Sequence, residues 1–183
     1  MGRRVSYFFV VAVMLLCACS YTAMPGPVPL VKGIDGLSLA GVSLIVTCAE
    51  KDASPYDILT DKGDSSGFQA DRQAWSRKLV EALASELARR GAQIKSSAPL
   101  TLGVALPEII MVQTRERWEF KVKVALSSST GWSKNYEGTA GASLDSVGSA
   151  AAEADRLAGQ ALAEAVKAML SDAAFLAQIT GRS

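Results

Sequence analysis

Trp118-Glu119-Phe120-Lys121-Val122-Lys123-Val124-Ala125-Leu126 decides the architecture of this chain. Large apolar residues take every second position and charged or small ones fall between them. Side chains alternate across a strand, so this is a sheet strand with one face buried and the other wet. Upstream, Leu100, Leu102, Val104 and Leu106 repeat the alternation, and Pro107, which has no N–H for a ladder, marks a bulge or an edge before 109–112. Between them, 113–117 is a polar turn. Downstream, 127–131 makes a hairpin turn and 132–141 returns as a strand.

The helices need that single apolar face. Trp75, Leu79, Leu83 and Leu87 form a stripe over 71–90, with Asp71 able to cap its start, Arg89 and Arg90 in the last turn, and Gly91 after it. Glu86 and Arg90 make a favourable i,i+4 pair on this helix. A second helix, 147–170, carries Ala151, Ala154, Ala158, Ala161, Leu162, Ala165 and Met169 as its packing stripe, and its alanines permit close approach to a sheet. Asp172 can cap a last short helix over 173–179. With a β-branched strand over 42–47, the order is β-α-β-β-β-α. The expected fold is an α/β (α+β) two-layer sandwich, mostly antiparallel, with two helices on one face. The segment 50–70, with Pro55, Gly63 and Gly67, reads as a long surface loop. Asp61, Asp64 and Asp71 within and after it lack the alternating order of a calcium loop.

Composition narrows the chemistry. The 183 residues contain no histidine, which removes Ser-His-Asp and Cys-His catalysis and His-based zinc sites. Lys plus Arg number 19 and Asp plus Glu 18, so there is no basic field to hold nucleic acid. Of three cysteines only Cys48 belongs to the body, so no internal disulfide forms, and it reads as a buried strand residue rather than a reactive thiol. One spare thiol and no clustered carboxylates leave a transition metal almost no ligands, so neither metal nor cofactor is expected. No enzyme is expected either.

The first residues point to a place. Arg3 and Arg4 precede an apolar run over 5–16, and Leu16-Cys17-Ala18-Cys19 follows. A cationic start, a core too short to span a bilayer and a small residue before the cut describe a secretory signal peptide over 1–18. Leu at −3, Ala at −1 and Cys at +1 resemble the lipobox of bacterial lipoproteins. That resemblance implies a diacylglyceryl thioether, with further acylation by a chain such as palmitate, on Cys19. Two or three acyl chains hold a protein stably at a membrane, where one is marginal. In the enterobacterial lipoproteins this resembles, Asp at the next position favours the inner membrane, so the resemblance with Ser20 implies the outer membrane of a diderm bacterium; the body is expected to face the periplasm. Residues 19–41, with Pro25, Pro27 and Pro29, read as a lipidated, flexible tether, long enough to let a single domain over 42–180 stand clear of the bilayer.

Two stretches are candidate contact surfaces. Trp132, Lys134 and Tyr136 share one side of the returning strand, where they could form a platform for a partner or ligand; the favoured reading is that the aromatics pack inward while Lys134 snorkels and discourages edge pairing. Ile109, Ile110 and Met111 lie in a run with apolar groups on both faces, which is either doubly covered or an open docking patch.

With all elements placed, the chain resembles the YajG-like group of uncharacterised bacterial outer-membrane lipoproteins. The residues that carry this are the lipobox at Cys19, the Trp75…Leu79…Leu83…Leu87…Arg90-Gly91 helix, the hairpin Gly131-Trp132-Ser133-Lys134-Asn135-Tyr136-Glu137-Gly138, and Leu170-Ser171-Asp172 before a short apolar tail. The resemblance implies a membrane-held protein working by contact with an envelope partner, with no catalytic residues to carry over. The alternative is a lipid- or glycan-binding auxiliary component of an envelope transport system, which predicts a cavity between helices and sheet along Met111, Met169 and Phe175. Sequence leaves the partner and the oligomeric state open.

Overall fold

The computed structural model describes residues 21–34, 36–51, 53–114, 116–143 and 150–181. The lipobox and Cys19 lie outside them, as do the first residues expected of the 147–170 helix. In chain order the elements are β1 (Tyr21–Thr22), β2 (Ser43–Cys48), β3 (Pro55–Leu59), β4 (Ser65–Asp71), α1 (Arg72–Arg89), β5 (Gln93–Ile94), β6 (Leu100–Gln113), β7 (Arg117–Ser128), β8 (Ser133–Ser143), α2 (Ala150–Leu170) and α3 (Ala173–Thr180).

The strands form one curled, mixed sheet, and the helices cover a single face of it, giving the two-layer α/β arrangement. The antiparallel meander β6–β7–β8 is its spine, with Phe120 opposite Met111 and Val124 opposite Tyr136. The register slips between Ala105 and Glu108, so Pro107 sits in a bulge within one long strand. The other edge of β6 is shared. Its first half pairs in parallel with β2, which carries β5, and its second half meets β3, which carries β4 and β1.

The hairpin β3–β4 occupies the segment expected to be an irregular loop. Ile58 and Ala70 are fully buried, with Tyr56 and Phe68 partly so, while Gly63 and Gly67 take positive φ around the turn. Short strands with hydroxyl and acidic residues on the wet face carry little sequence signal, so only their burial against the sheet identifies them. Asp71 ends β4 and caps α1, accepting from the Ala74 amide at 2.9 Å.

The core lies between sheet and helices. Trp75, Leu79, Leu83 and Leu87 of α1 are fully buried, as are Ala154, Ala158, Ala161, Leu162, Ala165 and Met169 of α2. The alanines serve close approach: a Cβ at Gly138 of β8 would lie 2.0 Å from the Ala161 carbonyl oxygen and 2.6 Å from the Ala165 nitrogen. Only hydrogen fits there.

Residues 21–41 differ from expectation. The described ones, 21–34 and 36–41, are extended, as their prolines require, but they lie along the body as a strap beside α1. Ala23, Val31 and Leu39 are buried in the common core. The Trp75 indole donates to the Ala23 carbonyl at 2.8 Å, and the Leu39 amide donates to the Arg90 carbonyl at 2.7 Å. The strap also crosses α2 where Gly26 meets Gly159, whose absent Cβ would stand 3.0 Å from the Gly26 carbonyl. Three spaced apolar residues give the segment something to bury, which a purely solvated linker lacks.

Candidate functional site

The structure divides the candidate contact residues. Ile109 and Met111 are fully buried beneath the helices, so they are core and offer no surface. Ile110 points to the opposite face, half-buried, opposite Lys121 of β7 and beside Leu59 of β3. The apolar run is thus one buried face and one half-covered face. Its open side continues into ion pairs, Arg117 with Glu119 at 3.1 Å, Lys121 with Glu119 at 3.4 Å, and Lys123 with Glu108. Exposed pairs like these add little stability and mark a solvated surface.

Trp132, Lys134 and Tyr136 do share one side of the hairpin, and they meet α3 there. Tyr136 is buried, and its hydroxyl donates to Asp172 at 2.5 Å. Lys134 reaches the same carboxylate at 2.9 Å, with its ammonium 5.7 Å from the Tyr136 ring centre. Asp172 also accepts from the amides of Ala174 and Phe175 at the start of α3. Phe175 is fully buried, with its ring 6.2 Å from Trp132 and 6.5 Å from Tyr136. Gln178 closes the far side, donating to Thr130 in the turn at 2.7 Å.

Charge follows this geometry. Burial and then the bond to Asp172 push the Tyr136 hydroxyl well above the usual tyrosine range. Burial works to raise the Asp172 carboxyl, but the bonds from Tyr136, Lys134 and the Ala174 amide outweigh it and hold it below the usual range. Tyr136 and Lys134 are therefore a latch for the terminal helix. The inward-packing reading holds for Tyr136, with Lys134 paired instead of free.

Lys134 is exposed though tied to Asp172, and Trp132 remains half open. It stands on the rim of a groove of about 1000 Å³ between the β2 and β6 starts and α3, lined also by Pro99, Leu100, Ala177 and Ile179. Neither the strap residues Ser38 and Ala40 nor α3 residues that complete this groove were recognisable as site residues from sequence, because four distant segments build it. Met111, Met169 and Phe175, the side chains expected to line an inner cavity, are themselves fully buried in the core. Cys48 ends β2 half-buried, its thiol 3.5 Å from the Glu50 carbonyl oxygen.

One polar cluster reads from sequence as a surface helix pair and is in fact interior. Glu86 and Arg90 pair inside the protein, both almost wholly buried. Glu86 accepts from the Val31 amide of the strap at 2.9 Å, and Arg89 donates to the Val31 carbonyl at 3.1 Å and to Glu86 at 2.8 Å. The i,i+4 spacing was visible, but its burial under the strap was not.

No protein-family model and no curated protein matches the chain. Among solved structures, it is similar to protein XCC0632 from Xanthomonas campestris, of family-model DUF330, at 13% identity and a TM-score of 0.47, over 88% of this chain and 96% of that one. A likeness that distant sets no functional expectation.

Proposed function

We propose that this chain is a lipid-anchored, non-enzymatic protein of the bacterial envelope, YajG-like in kind, that works by holding a protein partner at the groove beside Trp132. The observation that carries the reading is Leu16-Cys17-Ala18-Cys19 after a short apolar run, ahead of a body without histidine. A nucleophile needs a positioned base, and the buried or half-buried ionisable groups have structural duties: Glu86 clasps the strap, and Asp172 and Tyr136 latch α3. The groove supports contact because its rim carries a half-open tryptophan, a residue type over-represented among the anchors that partners bury. The outer membrane is the proposed site, with the body in the periplasm, on the strength of Ser20 after the acylated residue.

The test has two parts. In cells fed labelled palmitate, the wild-type protein is expected in membranes with label, and Cys19→Ser is expected unlabelled, uncleaved and altered in fractionation. A photo-crosslinking amino acid at Trp132 is expected to capture an envelope protein that the same group at exposed Asn135 does not. Equal capture at both positions, or none at Trp132, would discard the groove as the working surface.

A further inference from the structure

The strap decides how an anchored protein would meet its membrane. Tyr21 is already fixed: it pairs with Phe68 of β4, and its hydroxyl donates to Asp155 of α2 at 2.9 Å. The next residues are held as firmly, the Ala23 amide by the Gln69 carbonyl at 2.7 Å and the Met24 amide by Asp155 at 2.9 Å. From Cys19 to Tyr21 the chain can reach at most about 7 Å, two residues at roughly 3.6 Å each. A lipid on Cys19 therefore has no tether to stand on.

The surface at that end suits a bilayer. The large hydrophobic side chains exposed among the described residues are Tyr21 at 38%, Met24 at 42% and Leu30 at 64%, all on the strap, and the first two lie within five residues of Cys19. Tyr21 stands edge-on to Phe68, and Phe68 edge-on to Trp118, each pair 6.0 Å apart. Aromatic rings with a polar tip favour the headgroup layer, and beside Trp118 stands Arg117, exposed while paired with Glu119 at 3.1 Å. Trp118 begins β7, and Ser127 near its other end pairs with Ser133, next to Trp132. Nine residues at about 3.3 Å place that groove roughly 30 Å away. The strap agrees, since it runs beside α1 from Trp75 at this end to Arg90 at the other.

We infer that the Tyr21–Trp118 end of the domain rests directly on the phospholipid surface, with Tyr21, Met24 and the β6–β7 turn at the headgroups and the Trp132 groove pointing away from the membrane. This rests on the lipid-anchor reading. It replaces a domain swinging on a long leash with one seated in a single orientation, which presents the groove to partners at a set height.

Depth-dependent quenching tests it with the full, acylated chain. In a Cys48→Ser background, an environment-sensitive fluorophore is placed at Glu116→Cys in the β6–β7 turn, or at Ser133→Cys at the far end. Both sites are exposed. The proteins are reconstituted in phosphatidylethanolamine–phosphatidylglycerol vesicles that contain a headgroup-proximal doxyl lipid. Quenching is expected to be several-fold stronger at position 116 than at 133. A Gly-Ser spacer of about 20 residues between Ser20 and Tyr21 adds roughly 25 Å of reach and is expected to erase the difference. Equal quenching at both positions in protein whose N-terminal peptide carries the acyl mass overturns the seating alone. A peptide without that mass overturns the anchor reading, and the seating with it.

Discussion

Glu86 shows how much one side chain can hold. Its carboxylate sits among Arg90, Arg89 and the Val31 amide, away from solvent. Burial works to raise the carboxyl, and the hydrogen bonds from Arg90, Val31 and Arg89 together outweigh it, so it ionises below its ordinary 4.5. A carboxylate with a lowered folded value contributes its full stability above the unfolded value and loses it as pH falls through the folded one. Removing one partner of a buried pair strands the other, at about 3–5 kcal/mol. Glu86→Gln is therefore expected to lose about 3 kcal/mol in urea unfolding at neutral pH. It is also expected to lose less further stability than wild type as pH falls from about 6 to about 3, having no proton to take up there. Parallel pH profiles for the two proteins would show that Glu86 is not the acid-sensitive group.

Among the elements, α3 depends most on side chains outside itself. Eight residues are too few to be helical alone, so packing and capping must hold them. Asp172 supplies the cap and receives Tyr136 and Lys134. Losing a cap costs about 1 kcal/mol, and leaving a buried hydroxyl unpaired about 1–3 kcal/mol more. Asp172→Ala is expected to speed amide exchange across 173–180 and to lower overall stability by about 2–4 kcal/mol. Unchanged exchange there would mean that Phe175 alone seats the helix. The cap was visible as an Asp before an apolar run, and so was the facing trio Trp132, Lys134 and Tyr136. Their meeting at one carboxylate was not, because 36 residues separate Tyr136 from Asp172.

At the scale of the whole molecule, the strap belongs to the fold. It gives Ala23, Val31 and Leu39 to the core and satisfies the Trp75 indole and Glu86. A chain starting at Val42 would uncover those apolar neighbours and leave a buried indole N–H without its acceptor, a loss of about 1–3 kcal/mol for that group alone. It is expected to unfold at clearly lower urea than a chain starting at Tyr21, with a smaller denaturant slope because less surface is buried. Equal midpoints for the two would return the segment to the status of a linker.

By itself the sequence determined what is periodic or local: the wet and buried faces of β7, the apolar stripes of α1 and α2, a bulge or edge at Pro107, the caps at Asp71 and Asp172, and a catalytic repertoire without histidine. These follow from repeats of two or 3.6 residues, which need no knowledge of distant neighbours. Tertiary structure alone decided that 21–41 lies down as a strap, that 55–71 folds as a hairpin, that Glu86 and Arg90 are interior, and that Ile109 and Met111 are core while Trp132 rims a groove. Each of those depends on which far segment covers a residue, and coverage is set by packing across the whole chain rather than by local pattern.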